Sequence, residues 1–242
     1  MPVVVPLITD APPADPAALD AALAGLRGAP DDPSGSDPTA VGVDHRARYR
    51  WLVLTSATAV RVVAARVPRP DPDVRIACVG EATARAARAA GWRVDLVPER
   101  ESAAGLVAAL PDDAGPVLFP RSEIAAPTLV DGLRARGIDV DDVVAYRTVG
   151  TGDEPVALDP PPDAVLVTSG SVARQVARRL APLAPGTIIA CIGPGTADDT
   201  RAAGLPVHVV AGSRSAEAVL DAVVHALLVP EPPAHPDQEG HP

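Results

Sequence analysis

The chain of 242 residues contains no lysine and few aromatic residues. All 21 basic residues are arginine, which excludes a Schiff-base lysine and the lysine of a P-loop. Aromatic residues make up 2% of the chain, so few rings are present to sandwich a flavin. The sequence also has no Gly-x-Ser-x-Gly motif, which leaves nucleophilic serine catalysis without support.

Long apolar runs, metal-binding motifs and excess positive charge are absent as well. No run of about 18 apolar residues occurs, and no basic region precedes the first apolar stretch, so we expect a cytoplasmic protein without membrane contacts. The formal net charge of −10 argues against nucleic-acid binding. The five histidines lack the spacing of a metal site. Cys78 and Cys191 lie in apolar strands and are expected to be buried thiols.

Two segments of the chain are copies of one another. Residues 52–110 align with residues 165–223 without a gap, 113 positions apart, with 22 identities in 59 positions. A repeat of this length predicts two similar domains. The equivalent residues with polar or turn-forming chemistry are Thr55 and Thr168, Ser56 and Ser169, Gly80 and Gly193, Thr83 and Thr196, Gly91 and Gly204, and Ser102 and Ser215.

Each copy alternates strands with helices. Apolar runs predict strands at 51–54 and 164–167, and again at 75–79 and 188–192, each followed by a helical pattern. Thr83 and Thr196 are expected to start the second helices, and Ser102 and Ser215 to cap the last ones, after short strands at 94–97 and 207–210. The first copy continues with a strand at 117–119, a helix at 123–136 and a strand at 140–146. The pattern predicts flavodoxin-like α/β domains with parallel sheets.

The second copy lacks this continuation, and residues 1–8 resemble the strand that ends at Tyr146. We therefore expect a discontinuous domain of residues 1–8 and 150–228, with a domain of residues 9–149 inserted into it and two crossing segments between them. Residues 28–42 are expected to form an exposed loop, and residues 229–242 a disordered tail. By the same pattern, the discontinuous domain is expected to lack an N-terminal strand and helix.

The duplicated polar residues are candidates for ligand binding. Ligands of open parallel sheets bind beyond the carboxyl ends of the strands, where helix N-termini present free N–H groups to anions. Serine and threonine at such positions are most often helix caps, but their duplication favours a site for an anion with several negative groups. The predicted substrate-binding residues are Thr55, Ser56, Gly80, Thr83, Ser102, Thr168, Ser169, Gly193, Thr196 and Ser215.

Two further side chains are candidates for chemistry. The phenol of Tyr146 could donate a proton to a leaving hydroxyl, or it could be an aromatic residue packed at the end of a strand. Arg121 follows a predicted strand and could pair with a substrate carboxylate, or it could be a solvated surface residue.

The chain resembles the uroporphyrinogen-III synthase family in a series of motifs at 54–60 (Leu-Thr-Ser-Ala-x-Ala-Val), 79–84 (Val-Gly-x-Ala-Thr-Ala), 102–106 (Ser-Ala-x-Gly-Leu), 118–121 (Leu-Phe-Pro-Arg), 144–148 (Val-Ala-Tyr-Arg-Thr) and 192–197 (Ile-Gly-Pro-x-Thr-Ala). The resemblance implies a two-domain fold and a lyase that needs no cofactor or metal. Its substrate would be hydroxymethylbilane, cyclised to uroporphyrinogen III with loss of water and inversion of ring D through azafulvene and spiro intermediates. It also implies that Tyr146 matches the favoured proton donor and that Thr83 and Thr196 line the cleft. We expect a monomer that receives its substrate from hydroxymethylbilane synthase.

Two other functions remain open from the residues alone. A non-catalytic two-domain receptor for a small anion would bind its ligand without turnover. A flavodoxin-like module would carry a bound flavin or nucleotide when purified, against which the low aromatic content argues.

Overall fold

The computed structural model describes residues 3–28, 47–213 and 215–228. They form two compact units. The inserted unit runs from Asp10 to Thr148, and the discontinuous unit comprises the described residues up to Thr9 and from Val149 onward. Both units are α/β structures, which confirms the predicted fold class. The tail predicted at 229–242 and the loop predicted at 28–42, apart from Gly28, lie outside the described residues.

The inserted unit is built on a five-stranded sheet. Strand order is β1-β5-β4-β2-β3, and the pairs β2–β3, β2–β4 and β4–β5 are parallel. The boundary between the two units falls within β1 and within β5. The elements in chain order are β1 (Ile8–Ala11), α1 (Pro16–Ala24), β2 (Trp51–Leu54), α2 (Ala57–Arg66), β3 (Arg75–Cys78), α3 (Glu81–Ala89), α4 (Ala103–Ala109), β4 (Val117–Ser122), α5 (Thr128–Ala135) and β5 (Val140–Gly150).

Hydrophobic clusters cover both faces of this sheet. Because successive strand side chains point to opposite faces, Leu52 and Leu54 of β2 join one cluster, while Trp51 and Val53 join the other. All four residues are buried. Burial on both faces explains why β2 reads as an unbroken apolar run rather than as an alternating pattern.

The discontinuous unit repeats part of this arrangement. Its sheet has the order β6-β7-β8 among the described residues, with parallel pairing throughout. Trp51 lies opposite Arg75 in the first sheet, and their repeat equivalents Ala164 and Ile188 lie opposite each other in the second. The two copies thus share their strand register. The elements are β6 (Ala164–Val167), α6 (Gly170–Arg179), β7 (Ile188–Cys191), α7 (Pro194–Ala202), β8 (Val209–Val210) and α8 (Ala216–Leu228).

The N-terminal strand lies elsewhere than the sequence predicts. Residues 3–7 form no strand, and β1 begins at Ile8 and lies beside β5 in the five-stranded sheet. Leu7 is nevertheless buried, in the core that contains Val167 and Ile189, and the amide of Thr151 donates to the carbonyl of Leu7 at 3.1 Å. Leu7, with the partly buried Val5, therefore packs into the core of the discontinuous unit, whereas Val3 and Val4 are exposed.

Other boundaries also differ from prediction, for local reasons. Helix α5 starts at Thr128 and not at 123, because Pro127 disfavours helical geometry at the residue before it. Helices α3 and α7 start after Gly80 and Gly193, two residues before the predicted threonines, and Pro194 suits the first position of α7. The strand predicted at 94–97 is reduced to a single bridge between Ala77 and Leu96.

Cys78 and Cys191 are buried free thiols, as predicted. Among the helices of the described residues, none has the length and apolar character needed to cross a membrane.

Candidate functional site

Ser56 lies where β2 leads into α2, at the carboxyl edge of the five-stranded sheet. Its backbone is extended, with φ −154° and ψ 150°, and its Oγ accepts the amide proton of Ala59 at 3.0 Å. This is the N-cap that the Thr55-Ser56 pair predicts, since an N-cap side chain satisfies an amide of the first turn. Ser56 and Thr55 are both partly exposed at this edge.

Tyr146 reaches the same point from β5. It lies opposite Ser122 of β4, just past a shift of register between Arg121 and Ser122. Only 9% of Tyr146 is exposed, and its phenol donates a hydrogen bond of 3.0 Å to Ser56 Oγ. The structure thus brings together two residues that lie 90 positions apart in the sequence, the candidate proton donor and the cap of α2.

The N-terminus of α3 already holds a carboxylate. Gly80 is the N-cap and has no side chain to supply an acceptor. Glu101 supplies it instead, because its Oε1 accepts the amide proton of Glu81 at 3.0 Å. A Cβ atom at Gly80 would overlap the Glu101 carboxylate, and Thr83 in the first turn is only 5% exposed. In this conformation, the anion at the end of α3 is provided by the protein.

Sequence reasoning missed Glu101, although a signal was present. The residue directly precedes Ser102, the N-cap of α4, whose Oγ accepts the amide proton of Gly105 at 3.0 Å. In the repeat alignment, the position of Glu101 is occupied by Arg214 in the second copy. This reversal of charge within an otherwise matching motif distinguishes the two copies.

Arg121 is held in an ion-pair network. Its Nε donates to Asp142 at 2.8 Å, its Nη1 donates to the carbonyls of Ser122 and Glu123, and Arg134 shares the same carboxylate at 3.1 Å. A cavity of about 170 Å³ adjoins Arg121, Arg134 and Asp142. Drug-sized ligands occupy cavities of roughly 300–1,000 Å³. The cavity is therefore too small for a large polyanion. The partner of Arg121 that sequence analysis overlooked is Asp142, one of two adjacent aspartates in β5.

The discontinuous unit repeats the serine caps. Ser169 caps α6 by accepting the amide proton of Val172 at 3.3 Å, and Ser215 caps α8 by accepting that of Ala218 at 3.1 Å. Thr168, beside Ser169, is exposed. Gly193 is the N-cap of α7 in an extended conformation. Thr196 is partly exposed in the first turn of α7, and its carbonyl accepts the hydroxyl proton of Thr200 at 2.7 Å.

Two buried groups have altered proton affinities. Burial raises the pKa of the Cys78 thiol to about 12, so this residue is no nucleophile at neutral pH. Burial and a hydrogen bond of 2.5 Å to Asp141 raise the pKa of the Tyr49 phenol well above its ordinary value. The two tyrosines therefore differ in their hydrogen-bond acceptors. The phenol of Tyr49 donates to the carboxylate of Asp141, and the phenol of Tyr146 donates to the neutral hydroxyl of Ser56.

The family described as uroporphyrinogen-III synthase HemD matches residues 1–221. The chain belongs to this family. The uroporphyrinogen-III synthase of Synechococcus elongatus is 34% identical over 110 residues, which are 42% of each chain. The chloroplastic uroporphyrinogen-III synthase of Oryza sativa is 30% identical over 172 residues, 65% of this chain and 57% of the relative. The matches thus span about two fifths to three fifths of these relatives.

Two solved structures of uroporphyrinogen-III synthases share the fold. The enzyme of Helicobacter pylori aligns with a TM-score of 0.61 and 18% identity, covering 92% of this chain and 91% of the other. A mutant enzyme of Thermus thermophilus aligns with a TM-score of 0.56 and 17% identity, covering 92% and 88%. At these identities the likeness establishes the uroporphyrinogen-III synthase fold and leaves the roles of individual residues to be argued from their contacts.

Proposed function

We propose that this protein is a uroporphyrinogen-III synthase. It would cyclise hydroxymethylbilane to uroporphyrinogen III, with loss of water and inversion of ring D. Membership of the family supports this activity. The observation that supports the proposal within the structure is the hydrogen bond from the Tyr146 phenol to Ser56 Oγ, at the carboxyl edge of a parallel sheet, where ligands of such sheets bind.

The reaction needs an acid and a fixed substrate geometry rather than a strong nucleophile. Loss of the substrate hydroxyl as water requires a proton, which the Tyr146 and Ser56 pair would supply. The substrate also cyclises unaided to the wrong isomer, so the enzyme must hold it in one conformation. The substrate-binding groups that we propose are the amides and hydroxyls at the serine-capped helices (Thr55, Ser56, Ser102, Thr168, Ser169 and Ser215) and at the glycine-capped helices (Gly80, Thr83, Gly193 and Thr196), with Arg121 as a more remote charge.

The reaction transfers no electrons, and no cofactor enters the proposal. We propose that the protein acts in the cytoplasm as a monomer and receives hydroxymethylbilane from the enzyme that produces it. Co-elution with hydroxymethylbilane synthase in size-exclusion chromatography, with and without substrate, tests that transfer.

A coupled assay tests the activity. Hydroxymethylbilane synthase generates the substrate in the presence of the purified protein, and the products are oxidised and separated as type I and type III isomers. The proposal predicts predominantly type III. Accumulation of type I alone would refute it, and saturable binding of the bilane without turnover would favour the receptor function instead.

A further inference from the structure

We infer that Ser56, rather than Tyr146, delivers the proton to the leaving hydroxyl of the substrate, and that Tyr146 resupplies Ser56. The two side chains would form a proton relay with Ser56 at its outer end. This inference rests on the proposed function and assigns the catalytic contact within it.

The hydrogen bonds of Ser56 determine the direction of the relay. A serine hydroxyl has one proton to donate and two lone pairs with which to accept. In Ser56 both lone pairs are used, one by the amide of Ala59 and one by the phenol of Tyr146, each at 3.0 Å. The hydroxyl proton of Ser56 has no acceptor among the described residues. A bound ligand could therefore accept this proton, whereas the phenolic proton of Tyr146 is already donated to Ser56.

Burial supports the same order. Tyr146 is 9% exposed and its single phenolic proton is directed at Ser56 Oγ, whereas Ser56 itself is partly exposed. Direct donation by Tyr146 would require this hydrogen bond to break first. The N-terminus of α2, a helix of ten residues, also begins at Ser56. Its dipole stabilises negative charge at this position as the proton leaves.

The relay conserves atoms and charge. The Ser56 proton moves to the hydroxyl oxygen of the substrate, and the C–O bond breaks. The electron pair of that bond departs with the water molecule, and an azafulvenium carbon remains on the substrate. The Tyr146 proton moves to Ser56 Oγ, and a phenolate remains. Ring D then attacks the azafulvenium carbon through its substituted carbon, which has no proton to release, and the resulting spiro intermediate fragments. When the inverted ring D closes the macrocycle through its unsubstituted carbon, that carbon releases its proton, which returns through Ser56 to the phenolate. The net change is the loss of one water, and no oxidant or reductant takes part.

Four variants and one control test the relay with hydroxymethylbilane as substrate. We expect Ser56→Ala and Tyr146→Phe each to lower kcat about tenfold or more, with much smaller changes in KM. Because the two groups act in series, the double variant should be no slower than the slower single variant. Ser56→Thr retains a hydroxyl and should recover most of the lost rate.

The control separates catalysis from helix capping. Asp15 caps α1 of the same unit by accepting the amide proton of Ala18 at 2.9 Å, so Asp15→Ala removes a cap without touching the relay. It should lower stability to a similar degree as Ser56→Ala while kcat stays unchanged. A Ser56→Ala protein within threefold of wild-type kcat, or single effects that multiply in the double variant, would overturn the relay. A wild-type protein that yields only the type I isomer would overturn the proposed function as well.

Discussion

At the scale of single residues, the neighbouring groups decide what each candidate side chain can do. The two tyrosines illustrate this, since Tyr49 donates to a carboxylate and Tyr146 donates to the hydroxyl of Ser56. Glu101 fills the end of α3, where the sequence predicted free amides for a substrate anion. The residue types and their repeat predicted the caps, but not these pairings, because side chains distant in sequence meet only through the fold.

The role of Glu101 can be tested by removing its charge. Glu101→Gln weakens a charge-assisted contact at a helix N-terminus and should lower the free energy of unfolding by roughly 0.5–1 kcal/mol. It should also lower KM, because a negative charge beside the proposed polyanion site disappears. Glu99→Gln is the matched control, since Glu99 is exposed and has no hydrogen-bond or ion-pair partner among the described residues. Urea unfolding and steady-state kinetics measure both effects. An unchanged KM would show that α3 takes no part in substrate binding.

At the scale of helices and strands, local signals predicted the repeated elements well. Strands at Trp51–Leu54 and Ala164–Val167 have the predicted bounds because each is an apolar run closed by a Thr-Ser pair. Predictions were wrong where tertiary contacts or proline override the pattern. Residues 3–7 form no strand, although Leu7 packs into the core of the discontinuous unit, and α5 starts only after Pro127.

Alanine substitutions at two helical glycines should change stability in opposite directions, although the repeat aligns an alanine with each glycine. The equivalent of Gly105 is Ala218, and that of Gly195 is Ala82. A Cβ atom at Gly105 would overlap the carbonyl of Arg100, whereas Gly195 faces open space. Alanine normally stabilises a helix interior by about 1 kcal/mol relative to glycine. Gly195→Ala should therefore raise the free energy of unfolding, and Gly105→Ala should lower it, as measured by chemical denaturation. Stabilisation by both substitutions would contradict the assigned contact at Gly105.

At the scale of the whole molecule, the duplication of one α/β unit explains most of the architecture. Both copies have the same strand register, buried cysteines at equivalent positions and serine caps at equivalent helices. The sequence revealed this duplication directly, since 113 positions separate every matched pair. It did not reveal that the Glu101 carboxylate accepts the amide proton of Glu81 at the start of α3, because that contact forms only in the folded chain.

The stability of the inserted unit should fall at alkaline pH. The Cys78 pKa is raised from about 9 to about 12, so the folded state keeps its proton where the unfolded chain loses it. The contribution of the Cys78 thiol to the free energy of unfolding is complete below about pH 9. It is lost as the pH rises toward 12, at up to about 1.4 kcal/mol per pH unit. Urea unfolding at pH 7 and pH 10.5 should show a smaller decrease for Cys78→Ala than for wild type. Equal decreases in wild type and Cys78→Ala would show that groups other than Cys78 cause the loss of stability at alkaline pH.

The isomer composition of the product decides whether the protein has uroporphyrinogen-III synthase activity. Hydroxymethylbilane is incubated with increasing amounts of the wild-type protein, and the fraction of type III among the oxidised uroporphyrins is measured by chromatography. We expect this fraction to rise from near zero, the outcome of spontaneous closure, toward one as the protein concentration increases. A fraction that stays at the spontaneous value at every concentration would contradict it.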